Sequence, residues 1–163
     1  MKEMTILDFL GRLSNIKHEM PKNVRAVLTK AALMIERDAK QSVGTYQDAA
    51  PPFAGWAELA DSTKDDRVRK GFSENEPELR TGALRDSYGH DVEMTGPMSG
   101  EAVIGSNSDV AVWQELGTKN MPPRTIIGGA AVRQSPKVAA LIGKSVHMAL
   151  VGEEVFEGRI SLK

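Results

Sequence analysis

The sequence predicts an α+β fold with a long loop insertion, in which a long N-terminal helix and a C-terminal helix pack on a small, mainly antiparallel sheet. Apolar residues recur every three or four positions between Val24 and Ala39, which is the spacing of a helix that buries one face. Two stretches of alternating polarity flank a turn at 96–100, a pattern typical of a hairpin. Ser135 and Pro136 have the character of the first residues of a last helix.

The composition indicates a folded chain with a core built mainly from aliphatic side chains. The 163 residues are 40% hydrophobic and include no cysteine, which excludes disulfides and thiolate metal sites. We expect a single domain over residues 1–151, followed by an extension over 152–163 that would add a strand to a sheet. No apolar run approaches the ~20 residues of a membrane span and no signal-peptide pattern is present, so we expect a soluble protein in a reducing cytoplasm.

The N-terminal region is predicted to contain two helices. A short amphipathic helix that should end near residues 14–15 carries four apolar residues: Ile6, Leu7, Leu10 and Leu13. Pro21 suits the first turn of the second helix, which should end at about Val43 with Gly44 as its cap. The basic face of this second helix either is solvated or meets a neighbouring subunit.

Residues 44–78 are predicted to be an extended loop insertion with a short helix over 63–70. Ser62 would cap that helix. A loop of this length in a compact domain is usually functional. Its two large aromatic residues, Phe53 and Trp56, serve either as an anchor that docks on a partner or as a lid that folds back over the core.

A one-turn helix and a hairpin are predicted between residues 81 and 106. Thr81 would cap the helical turn, and strands over 90–95 and 101–106 would form the hairpin. On the first strand, Val92 and Met94 should point inward, because alternate residues share one face of a strand.

The stretch from Val110 to Arg124 is predicted to be a helix, a glycine cap and a stiff loop. Val110, Trp113 and Leu116 have helical spacing, so Trp113 should point into the core. Gly117 would end the helix at a positive φ angle. Beyond it, Thr125–Ile127 suggests a third strand and Ser135 the start of the last helix.

The residues that carry enzyme chemistry are scattered. No pair among the three histidines has metal-ligand spacing, so we predict no metal and no cofactor. The best catalytic grouping places His90 with Asp91 or Glu93 beside Ser87 as nucleophile. His90 and Asp91 would point to opposite faces of a strand, however, and cannot both serve one site. We therefore predict that the protein is not an enzyme.

The charge distribution argues against a nucleic-acid-binding module. Residues 44–97 contain eleven acidic residues and six basic residues, whereas a protein that binds DNA irrespective of sequence needs a basic excess. A DNA-binding module and a hydrolase-like enzyme stay as remote alternatives.

Two blocks of the sequence together resemble the neck and tail-completion family of tailed bacteriophages, also called head–tail joining or virion morphogenesis proteins. The first block has the form Thr-Gly-x-Leu-Arg-x-Ser and comprises Thr81, Gly82, Leu84, Arg85 and Ser87. The second block contains Trp113, Glu115, Gly117, Thr118, Pro123 and Arg124. The chain departs from the family pattern at residues 125–130.

The resemblance implies a non-enzymatic virion protein at the neck or the proximal end of the tail, assembled in the host cytoplasm. Its subunits would form a ring, expected to be a hexamer, that contacts head-completion and tail proteins. DNA would pass through the ring without specific binding, and no membrane is involved. A tail terminator or tail-tube-associated protein is the alternative within the same class.

Two arginines of these blocks each have two alternative roles. Arg85 either pairs with Glu115, tying the hairpin entry to the helix of Trp113, or is a surface cation. Arg124, which follows two prolines, would contact a neighbouring subunit, because a stiff loop loses little entropy on docking. The alternative is a loop arginine exposed to solvent.

Overall fold

The computed structural model of the chain describes residues 5–151, apart from the side chains at positions 8, 9, 12, 15, 18, 19, 21, 22, 150 and 151. The predicted extension over 152–163 lies outside the described residues. The α+β prediction is confirmed, with two antiparallel strands as the sheet of the described residues. In chain order, the elements are α1 (Ile6–Ser42), α2 (Asp61–Arg69), α3 (Ala83–Ser87), β1 (Tyr88–Gly96), β2 (Ser99–Ser106), α4 (Asp109–Leu116) and α5 (Ile127–Val151).

The contacts divide the chain into two compact units. The terminal unit contains residues 5–31, 92–102 and 137–151 of the described chain, and the central unit contains residues 32–91 and 103–136. In the terminal unit, the tip of the hairpin packs closely on α1. A side chain added at Gly100 would lie 2.9 Å from Leu28 Cδ1 and 2.8 Å from the Glu93 carbonyl oxygen, so this close approach requires glycine.

One continuous helix, α1, replaces the two helices predicted for the N-terminal region. The predicted break at residues 14–15 and the predicted start at Pro21 are both wrong. Proline in a helix removes a hydrogen bond at a cost of about 3 kcal/mol, but the apolar stripe on either side stays in phase across it. That stripe consists of Ile6, Leu10, Leu13, Met20, Val24 and Val27. The predicted C-terminus is confirmed, since α1 ends at Ser42 and Gly44 has a φ of 100°.

The core of the central unit gathers residues from α1, the segment that follows it, β1, α4 and the start of α5. Its buried members are Ala39, Val43, Trp56, Tyr88, Ala111, Ile126 and Ala130. Most are small or β-branched, so the elements approach closely, and the aromatic rings of Trp56 and Tyr88 fill the larger spaces.

Residues 44–78 contribute Trp56 and Tyr46 to this core, although the sequence suggests an excursion from it. Trp56 is 7% exposed, and its indole Nε1–H donates to the Thr125 carbonyl oxygen at 3.4 Å, so the lid alternative holds for Trp56. Phe53 is half-buried, and one edge of its ring lies next to the backbone of Gly128. The predicted short helix is present as α2, but it starts at Asp61 and no side chain caps it, so the predicted Ser62 cap is wrong.

The predicted hairpin is confirmed, with strands slightly longer than expected. Exposure alternates along β1, and Val92 and Met94 lie on its more buried face, as predicted. Pro97 and Met98 alone separate the two strands.

The predicted third strand is wrong, because residues 125–127 lead into α5. The Glu115 carboxylate accepts hydrogen bonds from the backbone N–H groups of Ile126, Ile127 and Gly128 at 2.7, 3.0 and 2.7 Å. These are the donors that a helix start leaves without partners. The predicted start at Ser135 is therefore also wrong, and Pro136 lies inside α5.

Candidate functional site

A cleft of about 570 Å³ opens in the central unit. Its walls come from the start of α2, the segment that enters α3, α4 and the loop before α5. Its polar lining consists of Glu58, Thr63, Arg67, Glu78, Arg80, Thr81, Gln114, Asn120 and Arg124. The apolar lining comes mainly from Leu59, Leu84, Val110, Met121 and Pro122.

Arg124 is 5% exposed, so its predicted role as a contact to a neighbouring subunit is wrong. Its guanidinium donates from Nη1 to Glu78 Oε1 at 3.2 Å and from Nη2 to the carbonyl oxygens of Ala57 and Glu58 at 3.0 and 3.5 Å. Its backbone N–H donates to the Gln114 carbonyl oxygen at 2.7 Å. The loop after the prolines therefore turns the arginine inward, where it ties three segments of the central unit together.

Glu78 is the partner of Arg124 and sits in a strained backbone conformation. Its φ of 63° is the single positive value for a non-glycine residue in the described chain, and such outliers concentrate at functional sites. Burial raises the pKa of the Glu78 carboxyl, and the attraction of Arg124 offsets this rise only in part. A strained residue with a perturbed carboxyl in a cleft is a candidate for function.

Arg67 is a second buried arginine, at 2% exposure, and no sequence pattern predicts its burial. Its Nε donates to the Ser73 carbonyl oxygen at 2.6 Å, and its Nη2 donates to that of Leu79. An arginine on a short, charged helix normally projects into solvent. Here the chain turns back after α2 and covers the guanidinium, a long-range effect that local sequence does not reveal.

The residues of the Thr-Gly-x-Leu-Arg-x-Ser block shape one wall of the cleft. The Thr81 hydroxyl accepts from the Ala83 N–H at 3.3 Å, and Gly82 has a φ of 86° at the start of α3. Leu84 packs against the core. Ser87 donates to the Leu84 carbonyl oxygen and shares a hydrogen bond with the Ser106 hydroxyl, both at 2.7 Å.

The predicted tie between Arg85 and Glu115 is wrong. Arg85 Nε donates to Asp86 at 3.0 Å on the surface, so the alternative of a surface cation holds. Glu115 has the start of α5 as its partner instead. The hydrogen-bond partners of two residues of the rejected catalytic grouping are Glu36 for His90, and the Leu84 carbonyl oxygen and the Ser106 hydroxyl for Ser87.

The turn after α4 confirms the predicted glycine cap. Gly117 has a φ of 74°, and a side chain there would lie 2.9 Å from the Met121 carbonyl oxygen and from the Pro123 nitrogen. Thr118 and Met121 exchange backbone hydrogen bonds of 2.8 and 3.2 Å. Glycine is therefore needed for both conformation and space, and the tight turn brings Pro123 against it.

The helix α4 turns its apolar residues outward, so the prediction that Trp113 lies in the core is wrong. Trp113 is 54% exposed and Leu116 is 74% exposed, and Val112 is also exposed. Ala111, Gln114 and Glu115 occupy the inward side, where Ala111 packs in the core and Glu115 binds the start of α5. We call Val112, Trp113 and Leu116 the α4 face.

In residues 5–151, no group of three or more acidic or histidine side chains is placed to hold a metal ion. No helix in that part of the chain is long and apolar enough to cross a membrane. Comparison with family models, with curated proteins and with solved structures finds no match to this chain. We therefore infer the function from the cleft, the α4 face and the motifs of the chain itself.

Proposed function

We propose that the protein is a non-enzymatic structural subunit of a tailed-phage virion, acting at the neck or the proximal tail as part of a ring that joins head and tail. The observation that carries the proposal is the α4 face. An exposed tryptophan, leucine and valine on one side of a short helix form a surface of the kind that protein interfaces cover. The two sequence blocks resemble neck and tail-completion proteins, and this resemblance suggests that the assembly is a ring between head and tail.

A second apolar surface supports assembly through two different contacts. In the terminal unit, the first turns of α1 expose Ile6, Leu7, Leu10 and Leu13. Contacts between two different surfaces of identical subunits are heterologous, and they close into a ring when the rotation between subunits permits. A ring needs two such surfaces on each subunit, and in this proposal the α4 face and the first turns of α1 supply them.

The fixed interior of the central unit is consistent with a structural role. Glu115 and Arg124 bind backbone groups of the same unit and are held by several hydrogen bonds each. These bonds fix the start of α5 and the loop before it relative to α4. In this proposal, the motif residues keep the α4 face in place, and the face itself makes the contact.

The test is to place a charge on the α4 face and measure assembly. Trp113→Glu and Leu116→Glu should lower the mass measured by light scattering over a concentration series, and remove rings from negative-stain images of the protein with its head-completion partner. Val68→Glu is the matched control, because Val68 is an exposed valine on a different helix, α2. Rings that form equally well with Trp113→Glu would contradict the proposed role of α4.

A further inference from the structure

The cleft of the central unit holds more buried positive charge than buried negative charge. Arg67 and Arg124 are both at most 5% exposed, and Glu78, the ion-pair partner of Arg124, is the buried carboxyl that lines the cleft with them. The acceptors bonded to Arg67 are the neutral carbonyl oxygens of Ser73 and Leu79. A buried cation without a counter-ion is costly, so the arrangement favours a second anion in the cleft.

Two buried polar atoms of residues that line this cleft have no hydrogen-bond partner among the described residues. They are Nε of Arg124, which is a donor, and Oε1 of Gln114, which is an acceptor. Buried polar atoms are nearly always paired in native proteins, so each such atom calls for an explanation. Both residues line the cleft, and a ligand that reached these two atoms would accept one hydrogen bond and donate another.

The remaining lining adds a polar rim and an apolar wall. Arg80 lies at the rim, with its side chain partly exposed, near Thr81 and Asn120. Leu59 and Leu84 supply apolar surface. A volume of about 570 Å³ lies within the range of about 300–1,000 Å³ that is usual for ligand sites, and it accommodates one or two residues of a peptide.

We propose that this cleft binds an acidic residue of a peptide, with its carboxylate at the arginines and a peptide N–H at Gln114. An aspartate or glutamate within a chain carries both groups, which matches the unpaired donor and the unpaired acceptor. A simple dicarboxylate supplies the anion but has no N–H to donate. The proposal does not rest on ring formation, because the cleft lies within the central unit of one chain.

The experiment is a titration of the full ¹⁵N-labelled chain, followed by NMR, with the capped peptide acetyl-Ala-Glu-Glu-Ala-amide. We expect saturable shifts at the backbone amides of Gly82, Gln114 and Arg124. The isosteric acetyl-Ala-Gln-Gln-Ala-amide should bind at least about tenfold more weakly, because charge-assisted hydrogen bonds are lost. Succinate and inorganic phosphate should also bind more weakly than the acidic peptide.

Two arginines that share a partner provide a matched pair of variants. Arg80 and Arg69 both form an ion pair with Asp66, but Arg80 alone lines the cleft. Arg80→Gln should weaken binding of the acidic peptide about tenfold, and Arg69→Gln should change it by less than about twofold. If Arg80→Gln fails to fold, Ala60→Trp at the exposed rim of the cleft should block binding on steric grounds.

The proposal is overturned by any of three results. The first is equal binding of the acidic and the amide peptides. The second is phosphate or succinate binding as tightly as the acidic peptide, which would make the cleft a general anion site. The third is acidic-peptide binding that survives both Arg80→Gln and Ala60→Trp, which would place the ligand elsewhere.

Discussion

Arg124 follows two prolines in a loop, which predicts an exposed side chain, but it is buried and holds segments of the central unit together. Two prolines and a glycine cap indicate a stiff, projecting loop, and that loop is present. The sequence does not reveal which way the side chain at its end points. The direction is set by carbonyl oxygens of residues 57 and 58 and by Glu78, all of which are more than forty positions away in the chain.

We expect Arg124→Met to lower the free energy of unfolding by about 3 kcal/mol, because it removes one partner of a buried ion pair and leaves two carbonyl groups unpaired. Urea denaturation measures this change. Arg69→Met, on an exposed arginine, should change stability by less than about 0.5 kcal/mol. A loss of similar size in both variants would show that the burial of Arg124 contributes little.

Glu78 should make stability depend on pH in the direction opposite to most carboxyl groups. Burial raises its folded-state pKa above the ordinary value of 4.5, so the folded protein holds the proton more tightly than the unfolded chain does. The stability gained this way is complete below about pH 4.5 and is lost as the pH rises through the folded-state pKa. Urea midpoints from pH 4 to about pH 8 measure it.

The comparison for this prediction is Glu78→Gln, which cannot titrate. The unfolding free energy of the natural protein, relative to this variant, should fall as the pH rises above about 4.5. Glu76→Gln removes the same charge from an exposed neighbour and should keep the pH dependence of the natural protein. A relative stability that rises with pH would mean that Arg124 outweighs burial and lowers the pKa.

At the scale of elements, local patterns identified which segments are regular, but they did not identify the inward faces or the true ends. The hairpin, the end of α1 and the presence of α4 follow from alternation, helical spacing and glycine caps. The spacing of residues on α4 predicts a helix but does not show which of its two faces is buried. The protein buries Ala111 and exposes Trp113. The start of α5 depends on Glu115, eleven or more residues earlier, and no local signal marks it.

Glu115→Gln should destabilise the start of α5. An amide keeps one acceptor oxygen but loses the charge that three backbone donors share, so we expect a cost of about 1–3 kcal/mol. The backbone amides of Ile126, Ile127 and Gly128 should exchange their hydrogens faster, by the factor in the local opening equilibrium that corresponds to this free-energy cost. Glu101→Gln, an exposed residue on β2, is the control, and equal exchange rates in both variants would contradict the role of Glu115.

At the scale of the whole molecule, we expect the exposed apolar surfaces to determine self-association more than the net charge of −1 does. The composition of the chain argued against disulfides, thiolate metal sites and a nucleic-acid-binding module, but it did not locate any interface. The cleft was not predicted either, because Arg67 and Glu78 lack any distinctive sequence context. The cleft arises from the way distant segments meet in the central unit.

Self-association through the α4 face should persist or strengthen when salt is raised, because contacts between apolar surfaces are not screened by ions. Sedimentation velocity at low and high sodium chloride concentration measures the average mass. The Trp113→Glu variant should stay at low mass in both conditions. Dissociation of the natural protein at moderate salt would indicate an interface held by ion pairs.

The contrast between the two tryptophans gives the molecule two separate optical reporters. Trp56 is 7% exposed and Trp113 is 54% exposed, and the chain has no other tryptophan. In the isolated subunit, iodide should quench the emission of Trp113 and leave that of Trp56 almost unaffected. Emission from Trp56 therefore reports the melting of the central unit, while a blue shift and protection from iodide at Trp113 report the moment at which a neighbour covers it.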